Sequence, residues 1–273
     1  MTNEQAKSLS DQALNRLMDE LAKGHSETLK NYLRVMARFP RYSWGNVLLI
    51  FSQRPDASHV AGFQTWLKLG RHVKKGEKAI AIVAPMVGRK PANGELSEDT
   101  QTRLYGFRVA HVFDCVQTEG NPLPEFAVVT GDPNKHTDKL IAFVAEQGIS
   151  LLYSEGIAPA QGTSSGAIIT LLPNLPSAEH FAVLVHELAH SMLHFSDRRK
   201  ETTRTIRETE AEAVAFVVCS AIGLAAMNQS ADYIQLYAGD TATLAASLAS
   251  IQQTATRIIG ALLGSEETGC QPT

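Results

Sequence analysis

The sequence predicts an α+β protein of two domains, and three observations carry that prediction. Apolar residues recur at helical spacing near both ends, and strand-like alternating runs lie between them. A stretch rich in proline and glycine, residues 121–136, separates halves of opposite charge. Residues 1–115 hold 17 Lys and Arg against 11 Asp and Glu, whereas residues 116–273 hold 8 against 17. A basic half joined to an acidic half suggests domains with different partners. The expected division is an α/β N-terminal domain over 1–118, a linker over 119–136 and a C-terminal domain over 137–273.

In chain order, Ala6, Leu9, Ala13, Leu14, Leu17, Leu21 and then Leu29, Leu33 and Met36 predict two amphipathic helices, broken at Gly24-His25 and ended by Pro40. Residues 41–46 read as a loop leading into the apolar run Val47 to Phe51. A basic turn, Arg71 to Lys78, feeds the strand-like run Ala79 to Ala84, and Thr102 to Val116 alternates like a half-buried strand. Beyond the linker come a helix over 137–147, strands over 150–153 and 167–172, and a Gly- and Ser-rich loop between them, 161–166. Three helices follow: 178–195 with Ser177 as N-cap, 205 to about 226, and 241–263.

Composition excludes several classes. At 44% hydrophobic and 19% charged the chain reads as globular. The polar N-terminus does not resemble a signal peptide, and the longest apolar run, Ala213 to Met227, is too short to span a bilayer, so a cytoplasmic location is expected. Cys115, Cys219 and Cys270 are too few and too scattered for a disulfide framework or a cysteine zinc site.

The chemistry concentrates at His186-Glu187-Leu188-Ala189-His190. On a helix, residues four apart share a face, so the two imidazoles converge on one metal ion while Glu187 stands beside it. H-E-x-x-H is the zincin signature: two zinc ligands and a carboxylate that takes the proton of the attacking water. A catalytic zinc needs a third protein ligand, and the cluster Glu208-Thr209-Glu210-Ala211-Glu212 opens the following helix. Glu208 and Glu212 share a face, whereas Glu210 points about 200° from Glu208. Glu208 is therefore the expected ligand and Glu212 the acceptor that fixes a ligand imidazole. His194 is a competing third ligand, but three imidazoles spaced four apart do not converge on one tetrahedral ion. The reaction this set supports is metal-assisted hydrolysis of a peptide bond, on a substrate strand paired with a sheet edge above the helix.

In the basic half, cations around a turn near Trp44 and Trp66 are what sequence-tolerant single-stranded DNA binding uses, since cations follow phosphates and rings stack on bases. A solvated turn and a core tryptophan give the same pattern.

Several motifs in order, Tyr42-Ser43-Trp44-Gly45-Asn46, Phe63 to Gly70, Val73 to Lys78, Val112-Phe113-Asp114 and Gln117 to Gly120, resemble the N-terminal domain of ArdC-type antirestriction proteins. The HELAH helix and Glu208 to Ala215 resemble the metallopeptidase domain of the same family, related to the ImmA/IrrE zincins. The resemblance implies an N-terminal single-stranded-DNA-binding domain with Trp44, Asn46, Arg71, Lys74, Lys75 and Lys78 as candidate contacts. It also implies a gluzincin-like zinc metallopeptidase domain and carriage on conjugative plasmids or similar mobile DNA, where the protein shields incoming DNA from restriction. In the ImmA/IrrE pattern the ligand falls on Glu208, and Glu212 stands where Asn or Asp is usual. Two other readings share these motifs: a DNA-associated regulatory or repair protease, and a binding module whose zinc is structural.

Overall fold

A computed structural model describes residues 3–23, 26–89, 102–122, 133–195, 198–224 and 241–264. Most of the expected linker lies outside the described residues. The described residues form two compact units, one built from those within 3–13 and 48–122, the other from those within 14–47 and 133–264.

In the first unit, β1 (Val60–Gly62), β3 (Ile80–Arg89) and β4 (Thr102–Asp114) make an antiparallel sheet in the order β1-β4-β3, while β2 (Arg71–Val73) pairs with β5 (Thr118–Gly120). The free edge of β3 is covered at Ala81, whose N–H and C=O both bond the Gln53 side-chain amide at 2.9 Å. Buried Asp114 accepts from the backbone N–H groups of Ser58 and His59, each at 2.9 Å, which ties the loop before β1 to the end of β4. Trp66, on the short helix α4 (Phe63–Lys68), is 1% exposed and donates its indole N–H to Phe113 O at 2.9 Å. It is a core residue and offers no stacking face.

The second unit takes in α2 (Ser26–Arg38), α5 (Asn134–Glu146), β6 (Ser150–Tyr153), β7 (Gly162–Ser164), β8 (Ile168–Leu171), α6 (Ser177–Leu193), α7 (Arg198–Glu201), α8 (Arg204–Ala221) and α9 (Thr241–Leu263). Its sheet runs β6-β8-β7, with β6 parallel and β7 antiparallel to β8. α6 packs against α8, and α8 against both α9 and α2, burying Leu184, Leu188, Val214, Val218, Leu248 and Ile251.

Residues 14–47, expected to belong with the basic half, group with the acidic half instead. The reason is packing: Leu29 and Leu33 on α2 are fully buried, and Gln252 and Thr256 of α9 donate to the carbonyl of Pro40 at 3.2 and 2.6 Å. The loop expected at 41–46 also closes early, because α3 (Trp44–Gln53) begins at Trp44. The helix expected over 205–226 is α8, capped by the Thr203 hydroxyl, which accepts from Ile206 N at 3.2 Å. Ser177 is the first residue of α6 rather than its cap, a place taken by Pro176. The 161–166 loop contains a strand, β7, whose pairing with β8 overrides its weak intrinsic preference. Among the described residues, no helix is long and apolar enough to cross a membrane.

Candidate metal centre

α6 and α8 lie side by side, and their facing turns bring His186, His190 and Glu208 together. One ligand atom from each, drawn from Nδ1, Nε2 and the carboxylate oxygens, lies within 4.8 Å of the other two. His190 Nε2 is 3.1 Å from His186 Nε2 and 3.3 Å from Glu208 Oε2, and His186 Nε2 is 3.6 Å from that oxygen. Two imidazoles and a carboxylate at this spacing suit a divalent transition metal with an open coordination position.

Each imidazole is held from behind. His186 Nδ1 faces Glu212 Oε2 at 3.5 Å. His190 Nδ1 faces His194 Nδ1 at 3.0 Å, and His194 Nε2 lies 3.0 Å from Glu210 Oε2. Glu210 in turn receives two hydrogen bonds from the Arg198 guanidinium. Sequence alone places Glu210 on the far face of its helix and leaves it there; the structure makes it, with no exposed side-chain surface, the anchor of a buried His190–His194–Glu210–Arg198 chain. The available signal was its position just before the apolar run from Ala213, where a carboxylate on the buried face needs a partner. His194, 1% exposed, supports His190 from behind and stands outside the ligand cluster.

The charges are balanced locally. Burial depresses the His186 pKa, but its hydrogen bonds to Glu208 and Glu212 and the charge of Glu187 overcome this and raise it to about 9. Burial and the neighbouring His186 charge push His190 down to about 4. The hydrogen bond from His186 holds Glu208 down at about 2. Glu187 is raised by burial, aided by Glu208 and opposed by His186, which suits a carboxylate that must take up a proton.

Glu187 is 8% exposed and rests against β7. A Cβ built on Gly162 would come within 2.7 Å of Val183 Cγ1 and 2.9 Å of Glu187 Oε1, so only glycine lets the strand approach this carboxylate. Ser164 and Ser191 join hydroxyl to hydroxyl at 2.7 Å and fix β7 to α6 one turn further on. Two cavities open on either side of Glu187 and His186. One, of about 270 Å³, is lined by Val183, Ala215, Phe216 and Cys219; the other, of about 570 Å³, by Ser164, Phe195, Arg199, Arg204 and Arg207.

The six expected DNA contacts fall in both units. Trp44 and Asn46 sit half-buried in the first turn of α3, where the Trp44 carbonyl accepts from the Tyr32 hydroxyl at 3.0 Å. Arg71 is engaged within the fold: its guanidinium donates to Thr118 Oγ1 at 2.8 Å, to Thr118 O at 3.1 Å and to Asn121 O. Lys74 donates to Val116 O at 3.0 Å, whereas Lys75 and Lys78 are exposed beside it. Phe63 and Phe107, 47% and 49% exposed, are aromatic surfaces of the same unit that the sequence did not single out.

Comparison with known proteins agrees with this architecture. Residues 7–113 match the family described as the N-terminal domain of anti-restriction factor ArdC. The fold extends the likeness: the metal-free crystal structure of the antirestriction protein ArdC from R388 plasmid superposes with a TM-score of 0.58 at 19% identity, over 93% of this chain and 97% of that one. Its Mn(II)-bound structure gives 0.56 at 19% identity, over 94% and 99%. The chain thus shares the α+β fold of ArdC, with the family match confined to residues 7–113. It is also 29% identical to the uncharacterized protein pXO2-81 of Bacillus anthracis over 85% of this chain, and spans about half, 47%, of that relative's length.

Proposed function

We propose that this chain is an antirestriction protein of mobile DNA, with single-stranded DNA held by its first unit and a divalent-metal hydrolytic site of the ImmA/IrrE-like peptidase kind in its second. The observation that carries the reading is the convergence of His186, His190 and Glu208 beside a buried glutamate, in a chain whose residues 7–113 match the ArdC N-terminal domain family. The proposed ligands are His186, His190 and Glu208, with Glu212 and His194 orienting the two rings. Zinc is the metal these donors favour, and the Mn(II)-bound ArdC relative makes manganese a second candidate.

The bound cation would supply Lewis acidity toward a carbonyl oxygen and acidity to a water molecule. Glu187 takes the proton of that water and returns it to the leaving amine, a transfer favoured by the raised affinity of this carboxylate for protons. Gly162 lets a substrate strand run close to Glu187, and the burial of that carboxylate limits competition from bulk water. On the first unit, Lys75 and Lys78 offer phosphate contacts and Phe63 and Phe107 offer stacking faces.

Protection assays separate DNA occupancy from hydrolysis. Glu187→Ala is expected to leave protection intact, while removing the charges of Lys75 and Lys78 weakens single-stranded DNA binding and lowers its salt slope by about 0.7 for each phosphate no longer neutralised. Loss of protection with Glu187→Ala at full DNA affinity would favour the DNA-associated protease instead, a reading that rests on the buried Glu187.

A further inference from the structure

Five of the eight Lys and Arg residues in 116–273 fall within one span of ten, as Arg198, Arg199, Lys200, Arg204 and Arg207, leaving only Lys135, Lys139 and Arg257 elsewhere. The folded chain turns this cluster toward the metal centre. Arg198 is bound to buried Glu210, but Arg199, Arg204 and Arg207 line the larger cavity together with His186, Glu187 and Glu208. Among the described residues none of these three has a carboxylate partner. Arg199 lies over the Phe195 ring at 5.6 Å, and Arg207 donates to the carbonyls of Arg199 and Thr202 at 3.2 and 2.5 Å.

Stability does not explain this placement. Arg204 and Arg207 occupy the first turn of α8, the positive end of the helix dipole, where cations are disfavoured, and three guanidiniums around one cavity repel each other. The other side of Glu187 differs: there the smaller cavity is walled by Ala182, Val183, Ala215, Phe216 and Cys219. The Cys219 thiol, pushed up to about 12 by burial and then by Glu212, behaves as an apolar group at neutral pH. Gly162 borders both cavities and lies on β7, the open edge of its sheet. Thr163 pairs with Thr170 between Ser165 N→Ile168 O at 2.9 Å and Leu172 N→Gln161 O at 2.8 Å. The alternation of an antiparallel ladder then turns the N–H and C=O of Gly162 and Ser164 outward. An extended peptide along that edge would place successive side chains into the two cavities, with its carbonyl at the metal centre between them.

Resting on the peptidase reading of this site, we propose that the cleft selects peptides bearing a carboxylate on one side of the bond to be cleaved, held by Arg199 and Arg204, and an apolar side chain on the other. The carboxylate belongs to an Asp or Glu side chain or to the peptide's C-terminus. Guanidinium–carboxylate hydrogen bonds, charged on both sides, distinguish an acid from its amide by roughly tenfold.

The test uses the full chain as Glu187→Gln, loaded with Zn(II) and checked for bound metal by equilibrium dialysis. Blocked random nonapeptides are affinity-selected on it and sequenced, in C-terminally amidated and free-acid sets. The expected result is roughly tenfold enrichment of Asp and Glu at one position and of apolar residues at a position across from it. Adding Arg199→Gln and Arg204→Gln should erase the acidic enrichment and keep the apolar one; Arg207 is spared because it supports its own loop. Acidic enrichment confined to the free-acid set assigns the contact to a C-terminal carboxylate. Peptides retained with no acidic preference, or with one that survives the double substitution, overturn the proposal while leaving the peptidase reading intact. Displacement of acidic peptides by single-stranded DNA in an Arg199- and Arg204-dependent manner also overturns it, assigning the arginines to phosphate. Metal bound with no peptide retained refutes the peptidase reading, and the proposal with it.

Discussion

At the level of single residues, the candidate site depends on what stands behind and beside the expected ligands. His190 is oriented by His194, and His194 by a glutamate that Arg198 neutralises. Truncating His194 to Ala is expected to weaken metal affinity by about 10- to 100-fold, read by competition with a chromophoric chelator, with His186, His190 and Glu208 untouched. Gly162→Ala crowds Val183 and Glu187 and touches none of the three expected ligands: the new methyl displaces the Glu187 carboxylate, so any hydrolytic rate should fall about 100-fold while metal affinity is kept. The site also sets a pH dependence. With its pKa raised to about 9, His186 is protonated at neutral pH, and a metal ion must displace that proton. Apparent metal affinity should therefore rise about tenfold per pH unit between about 6.5 and 9 and level off above, as measured by calorimetry across pH; a flat profile would contradict the proton's place on this ring.

Among the elements, α6 and α8 were legible because both kinds of signal agreed: apolar spacing fixed the helices, and residues four apart fixed the shared face. α9 matches the expected 241–263 and β6 the expected 150–153. β7 was not legible, since Gly162-Thr163-Ser164 has little strand preference and becomes a strand only by pairing with β8. Arg71 reads as a DNA contact in the sequence because its three carbonyl and hydroxyl partners, on Thr118 and Asn121, are distant along the chain. Glu210 escapes notice for the same reason, its partner His194 lying on another helix. If β7 is the substrate edge, a cleaved peptide N-methylated where it faces Gly162 and Ser164 should bind about tenfold more weakly than its unmodified twin, since a hydrogen bond to a docked strand is removed and its side chains are not. Equal binding by fluorescence anisotropy would remove β7 from the account.

For the whole molecule, the boundary between chemistries is not where charge alone draws it. The basic and acidic halves divide near residue 115, yet residues 14–47 fold with α6 and α8, because α2 buries its leucines against α8. The ArdC N-terminal match over 7–113 therefore runs across both compact units. The metal centre remains the feature on which the functional proposal turns, and anomalous diffraction from crystals grown with zinc addresses it most directly. The expected result is a single peak bound by His186 Nε2, His190 Nε2 and the Glu208 carboxylate at about 2.0–2.2 Å, with Glu210 still on Arg198. A peak held instead by Glu210, Glu212 or His194, or none at a zinc concentration that saturates the protein in solution, would contradict it.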